Sequence, residues 1–173
     1  MIPLLLLFGA CEPVDPLDEA WNQVFEITAT ATADGCEEPA PEPVTDAGFV
    51  AIGLGMWPGE EEDLFVATAY LCTSPTTCSA TPFANAFLDT ATEEQLHGYF
   101  GENAYASDRA CIATWTGIDA TRTASGRLHL AARNHQSETF TETSDGCDGY
   151  LDSLYGEVCD QTLVIDATLV SVD

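Results

Sequence analysis

Lysine is absent from this chain, and arginine occurs only as Arg109, Arg122, Arg127 and Arg133. Without lysine there is no Schiff-base chemistry and no lysine general base. Four basic residues stand against 29 acidic ones, a formal net charge of −25. A field of that sign repels phosphate backbones, which argues against nucleic acid as a partner. It attracts divalent cations and basic partners and keeps a protein soluble. No Cys-x-x-Cys pair occurs, the spacing that zinc sites commonly use. Gly-x-Ser-x-Gly, His-Glu-x-x-His and a phosphate loop are missing as well. Gly53-x-Gly55 lacks the later glycine of a dinucleotide fingerprint. The apolar opening, residues 1–10, is too short to span a bilayer, which takes about 20 residues. No cofactor is expected from these patterns.

With 46% hydrophobic content over 173 residues, the chain can bury one globular core. Its opening, Met1-Ile-Pro-Leu-Leu-Leu-Leu-Phe-Gly-Ala10, has the form of an export signal. Cys11 follows, and then the acidic, proline-rich stretch Glu12-Pro-Val-Asp-Pro-Leu-Asp-Glu19. Over about its first dozen residues the chain resembles the lipobox of bacterial lipoproteins. The resemblance implies cleavage before Cys11, diacylglycerol on its sulfur and a further acyl chain, such as palmitate, on the new N-terminus. Two or three acyl chains make a lasting membrane anchor. It also implies the cell envelope, and Glu12 in place of Asp favours the outer membrane. Two alternatives stand beside it: a start upstream of Met1, and an ordinary export signal with Cys11 in a disulfide. The expected organisation is a signal peptide over 1–10, a lipidated cysteine and flexible tether over 11–20, and one β-rich domain over 21–173.

Apart from Cys11, six cysteines remain: Cys36, Cys72, Cys78, Cys111, Cys147 and Cys159. An even set suits disulfides in an oxidising compartment. Cys72 with Cys78, and Cys147 with Cys159, are plausible local pairs that would leave Cys36 for Cys111. Sequence does not choose among the connectivities.

Unbroken alternation in Phe25-Glu-Ile-Thr-Ala-Thr-Ala-Thr-Ala33 predicts a half-buried strand, with Phe25, Ile27, Ala29, Ala31 and Ala33 inward. Gly48–Met56 and Asp63–Cys72 read as a hairpin, as do Cys111–Thr123 and Arg127–His135. Glu138–Thr143 and Thr162–Val172 read as further strands. Thr92–Tyr99 is the best helix candidate, with Thr92 as cap. Seven or eight strands with turns between them indicate an all-β antiparallel sandwich or up-and-down barrel. Trp21 at the entrance to the first strand invites comparison with lipocalins. Glu19 and Ala20 precede it instead of that family's Gly-x-Trp, and the last arginine, Arg133, lies well before the final strand, so the family is not assigned.

Alternation over residues 127–135 puts Arg127, His129, Ala131, Arg133 and His135 on one face, with Leu128, Leu130 and Ala132 on the other. A three-residue loop, Ala124-Ser-Gly126, pairs Thr121 with His129 and Asp119 with Ala131. Arg127, His129, Arg133 and His135 are thus a candidate patch for an anion or an acidic partner. The plainer alternative is a solvated face whose arginines pair with acids such as Asp119. Asp145, Asp148 and Asp152 are weak calcium candidates in a glycine-containing loop. Three functions compete: a non-enzymatic interaction domain displayed at the membrane for a protein partner, a barrel binding a small ligand, and a hydrolase using His129 or His97.

Overall fold

The computed structural model describes residues 16–34, 40–42, 46–57, 64–105, 110–140 and 161–170. Helix α1 spans Pro16–Trp21 and ten strands follow: β1 Gln23–Asp34, β2 Ala40–Glu42, β3 Phe49–Trp57, β4 Leu64–Ser74, β5 Thr77–Cys78, β6 Ala84–Ala91, β7 Gln95–Tyr105, β8 Ala110–Arg122, β9 Arg127–Phe140 and β10 Gln161–Leu169. Strands β1, β3, β4, β6, β7, β8, β9 and β10 are hydrogen-bonded in that order, and β10 returns to β1. The result is a closed, antiparallel, up-and-down barrel of eight strands. Closure consumes the sheet edges that would otherwise template aggregation. The two short strands are additions, β2 lying along β1 and β5 along β4.

The inward positions explain why the sheet closes. Phe25 and Ile27 of β1, Val50, Ile52 and Leu54 of β3, Leu96 of β7, Ile118 of β8, Leu128 and Leu130 of β9 and Ile165 of β10 form one buried cluster. Burying each such side chain fully contributes about 1.5–3 kcal/mol. On β4 and β6 the inward residues are Ala67, Ala69, Ala84 and Ala86, small enough for the larger side chains opposite to fill the centre. At Gly98 of β7, opposite Leu88, the backbone of β6 leaves no room for a side chain. A Cβ there would lie 2.0 Å from the backbone oxygen of Phe87.

One end of the barrel carries α1, the end of β3, the start of β4, the β6–β7 turn and the β8–β9 turn. Six residues make too short a helix to stand alone in water. Packing holds it: Ala20 and Trp21 are buried, and the Trp21 indole N–H donates to the Thr92 carbonyl at 2.6 Å. The Arg122 guanidinium lies 6.0 Å from the Trp21 ring centroid and donates to the Ala20 carbonyl. The residues expected to end a flexible tether therefore cap the barrel. The arginine that packs on this tryptophan comes from the end of β8.

Three expectations change. The helix expected at Thr92–Tyr99 is a turn leading into β7. Thr92 Oγ1 accepts from the N–H groups of Glu94 and Gln95, but its own N–H donates to the Gln95 carbonyl and closes a hairpin. The same side-chain contact serves a helix cap or a turn, and the alternation of buried Leu96 with exposed His97 decides for the strand. Secondly, the inward set on β1 changes parity. A β-bulge between Ile27 and Ala29 leaves Thr28 as an extra residue, so buried Thr30 faces Ile165. Lastly, Glu138–Phe140 prolongs β9 rather than forming a separate strand. The β8–β9 register holds as read, with Thr121 opposite His129 and Asp119 opposite Ala131. Its turn places Gly126 at φ +81°, a left-handed position that suits glycine.

Cys72 and Cys78 form a disulfide between β4 and β5, as their spacing suggested. Cys111 is disulfide-bonded too. Cys11, Cys36, Cys147, Cys159, Asp145, Asp148 and Asp152 lie outside the described residues.

Candidate functional site

The outer surface of β7 to β10 and the bulge of β1 bring most of the candidate side chains together. Alternation turns Leu128 and Leu130 inward and leaves Arg127 and His129 exposed outside. Pairing then lines up cross-strand rows. Thr121 sits opposite His129, and His129 opposite Asp166. The bulge residue Thr28 completes the row, its hydroxyl donating to the Asp166 carbonyl at 2.9 Å. In the next row Thr168 faces Arg127. Between these rows lies an open groove of about 440 Å³, lined among others by Thr28, Thr121, Thr123, Arg127, His129 and Asp166.

Charge is distributed unevenly over this surface. His129 Nδ1 lies 2.8 Å from Asp166 Oδ1. His97 Nδ1, on β7, lies 2.5 Å from Asp119 Oδ1, and Arg133 donates to the other oxygen of the same carboxylate. Arg122 is committed to the α1 cap. Arg127 makes no ion pair among the described residues, although the chain carries 29 acids. Its guanidinium stands at the edge of a groove rich in threonine hydroxyls. Arginine offers a planar fork of donors that matches a carboxylate or phosphate.

The expected patch of four therefore divides. Arg127 and His129 line the groove. Arg133 is held by Asp119, as the plainer alternative had it. His135 is buried, opposite Trp115 across the β8–β9 pair, so it is not part of an exposed basic patch. Trp115 is itself buried, stacked against Tyr99 and lying over Gly117 on the same strand. His97 shares the outer surface but serves Asp119 rather than His129.

Each exposed histidine is oriented by a carboxylate, half of what a general base needs. Neither imidazole has a second hydrogen-bond partner among the described residues, so no hydroxyl stands ready as a nucleophile. No three His, Cys, Asp or Glu side chains converge on a metal position among the described residues.

Asp166, Thr28 and Thr168 are groove residues that sequence reasoning missed. Asp166 breaks the apolar run Leu163-Val-Ile165 at an outward position, a signal that could have marked it. The bulge that aims Thr28 has no comparable mark. A second opening, of about 330 Å³, lies at the opposite end of the barrel between Phe83, Leu163, Asn134, Gln161 and Thr32. No protein-family model, curated protein or solved structure matches this chain.

Proposed function

We propose that this chain is a lipoprotein of the bacterial outer membrane, acylated on Cys11. Its barrel acts as a binding module rather than an enzyme, and the groove along β8, β9 and β10 receives a small ligand bearing a carboxylate or phosphate. The lipobox-like opening supports the anchor, and disulfides at Cys72–Cys78 and Cys111 suit an oxidising compartment. The guanidinium of Arg127, which makes no ion pair among the described residues and stands in a hydroxyl-lined groove, carries the binding reading. The net charge of −25 opposes any anion at long range. Short-range forked hydrogen bonds must outweigh that repulsion, so affinity holds or rises as salt screens the field.

Two experiments test it. Labelled palmitate should enter the full-length protein and be lost, along with membrane fractionation, in Cys11→Ala. A labelled Cys11→Ala protein would remove the anchor from the reading. Phosphate and acetate titrations followed by amide NMR should shift Thr121, Thr123 and Thr168 first, and Arg127→Gln should abolish those shifts. Shifts of equal size in the Arg127→Gln protein would refute the groove as the site.

The second opening supports an alternative reading, a ligand held at the far end of the barrel, because apolar Phe83 and Leu163 meet polar Asn134 and Gln161 there. In that case an apolar fluorescent probe would be displaced from wild type and would not bind Phe83→Arg.

A further inference from the structure

The floor of the groove carries two rows of side chains. Thr121, His129 and Asp166 form one row across β8, β9 and β10, and Thr123, Arg127 and Thr168 form the other. Arg127 and His129 are two residues apart on one strand, so the rows are separated by about 7 Å, and neighbouring strands by about 4.8 Å. Some of these groups are engaged. Thr28 donates to the Asp166 carbonyl, and the Thr123 hydroxyl is bonded to Ser125 and accepts from the Arg127 backbone N–H. One oxygen of Asp166 meets Nδ1 of His129. Among the described residues, the other groups on the floor have no hydrogen-bond partner. These are the Arg127 guanidinium, the Thr121 and Thr168 hydroxyls, Nε2 of His129 and Oδ2 of Asp166.

The two rows offer different chemistry. The Arg127 row presents a forked cation beside a hydroxyl, which suits one carboxylate. The other row presents a carboxylate oxygen, an imidazole nitrogen and a hydroxyl. It repels a second anionic group and accepts O–H donors. Asp166 thus narrows the ligand. A phosphate monoester carries about −1.5 to −2 charge at neutral pH and would set its excess charge against Asp166. A molecule with one carboxylate at one end and hydroxyls about a ring's width away satisfies both rows.

We propose that the groove recognises a sugar acid of one ring, a hexuronate. Its carboxylate lies on Arg127 and Thr168, and its ring hydroxyls donate to Asp166 and bond Thr121 and His129. This rests on the groove reading above and adds the second row to it. Asp166 acts with opposite sign on the two parts of the ligand: it holds the hydroxyls and opposes the charge. The repulsion from the net charge of −25 falls equally on every monoanion, so it cancels when a uronate is compared with acetate.

The test titrates the full-length protein with sodium acetate, sodium glucuronate and glucose at neutral pH and fixed ionic strength, followed by amide NMR. Glucuronate should bind about tenfold or more tightly than acetate, the gain expected of two or three added hydrogen bonds, and glucose should bind more weakly than glucuronate. Asp166→Ala should remove most of the glucuronate advantage while acetate binds as well as before or better. Asp166 is 55% exposed and its contact with Thr28 is through the backbone, so the fold should survive, which circular dichroism checks. Thr121→Val, which removes a hydroxyl at nearly constant volume, should weaken glucuronate and leave acetate unchanged. If acetate and glucuronate bind equally, and both are lost in Arg127→Gln, the sugar-acid inference is refuted and the anion groove stands. Glucose binding as tightly as glucuronate would also refute it. If neither acid binds, the groove reading itself falls and this inference with it. An unbranched zwitterion, 6-aminohexanoate, that matched glucuronate and lost its affinity in Asp166→Ala would overturn the sugar in favour of an ammonium on Asp166.

Discussion

Replacing Trp21 with alanine tests whether α1 is part of the barrel or an appendage. Trp21 is fully buried, its indole N–H is bonded to the Thr92 carbonyl, and Arg122 packs on its ring while bonding the Ala20 carbonyl. Truncating a buried tryptophan to alanine typically costs about 3–5 kcal/mol. Domains of this kind have about 5–15 kcal/mol in total, so about a fifth or more of the stability is at stake. Urea unfolding followed by far-ultraviolet circular dichroism should show that loss, with the midpoint of thermal unfolding falling by roughly 6–20 °C. The parts can be separated. Trp21→Phe keeps most of the volume and removes one hydrogen bond, an expected loss of about 1–3 kcal/mol because the Thr92 carbonyl is left without its donor. Arg122→Met keeps an apolar stem and removes the charge. A double-mutant cycle between Trp21→Phe and Arg122→Met should give a coupling of about 0.5–1 kcal/mol. A loss below about 1 kcal/mol for Trp21→Ala would refute the cap and return residues 16–21 to a passive tether.

Gly98→Ala should destabilise by about 3 kcal/mol or more, beyond the usual range for overpacking, because the clash is with the β6 backbone, which cannot turn aside; near-wild-type unfolding would mean that β6 and β7 separate easily. Deleting Thr28 removes the extra residue and leaves Ile27, Ala29 and Thr30 in unbroken register with Ala167, Asp166 and Ile165, so Thr30 stays in the core; a cooperative transition is expected to survive, and its loss would count against Thr28 as the bulge residue. Asp119→Asn breaks contacts to both His97 and Arg133, yet the carboxylate is about a third exposed, so unfolding should move by less than about 1 kcal/mol; a loss above 2 kcal/mol would show that this surface network is structural.

The class of fold was legible because β structure writes itself locally. Alternation in residues 25–28 and 127–135 reflects a pleat that turns neighbouring side chains to opposite faces. The three-residue turn at Ala124–Gly126 fixed the β8–β9 register, and that register is observed. Closure was not legible, because pairing of β1 with β10 joins residues 127 to 144 positions apart and leaves no mark in either strand. The bulge at Thr28 was hidden for a related reason. The stretch Thr-Ala-Thr-Ala alternates equally well in either parity, since alanine and threonine are similar in size and each tolerates either face. Thr92 misled because its side chain makes the contact of a helix cap within a hairpin turn.

The basic patch shows where one-dimensional reading of a site fails. Strand alternation correctly put Arg127, His129, Arg133 and His135 on one face, but a barrel face is not a uniform environment. Two residues along the strand, from Arg133 to His135, the surroundings change from a partly exposed carboxylate to a buried position. What separates Arg127 from Arg133 is the absence of a paired acid among the described residues, and that depends on which residues of β8 and β10 stand opposite. Asp119 and Asp166 lie opposite Ala131 and His129, while Arg127 faces Thr123 and Thr168. Of the three described arginines, Arg122 is held by the Ala20 carbonyl and Arg133 by Asp119, which leaves Arg127 without an ion pair among the described residues.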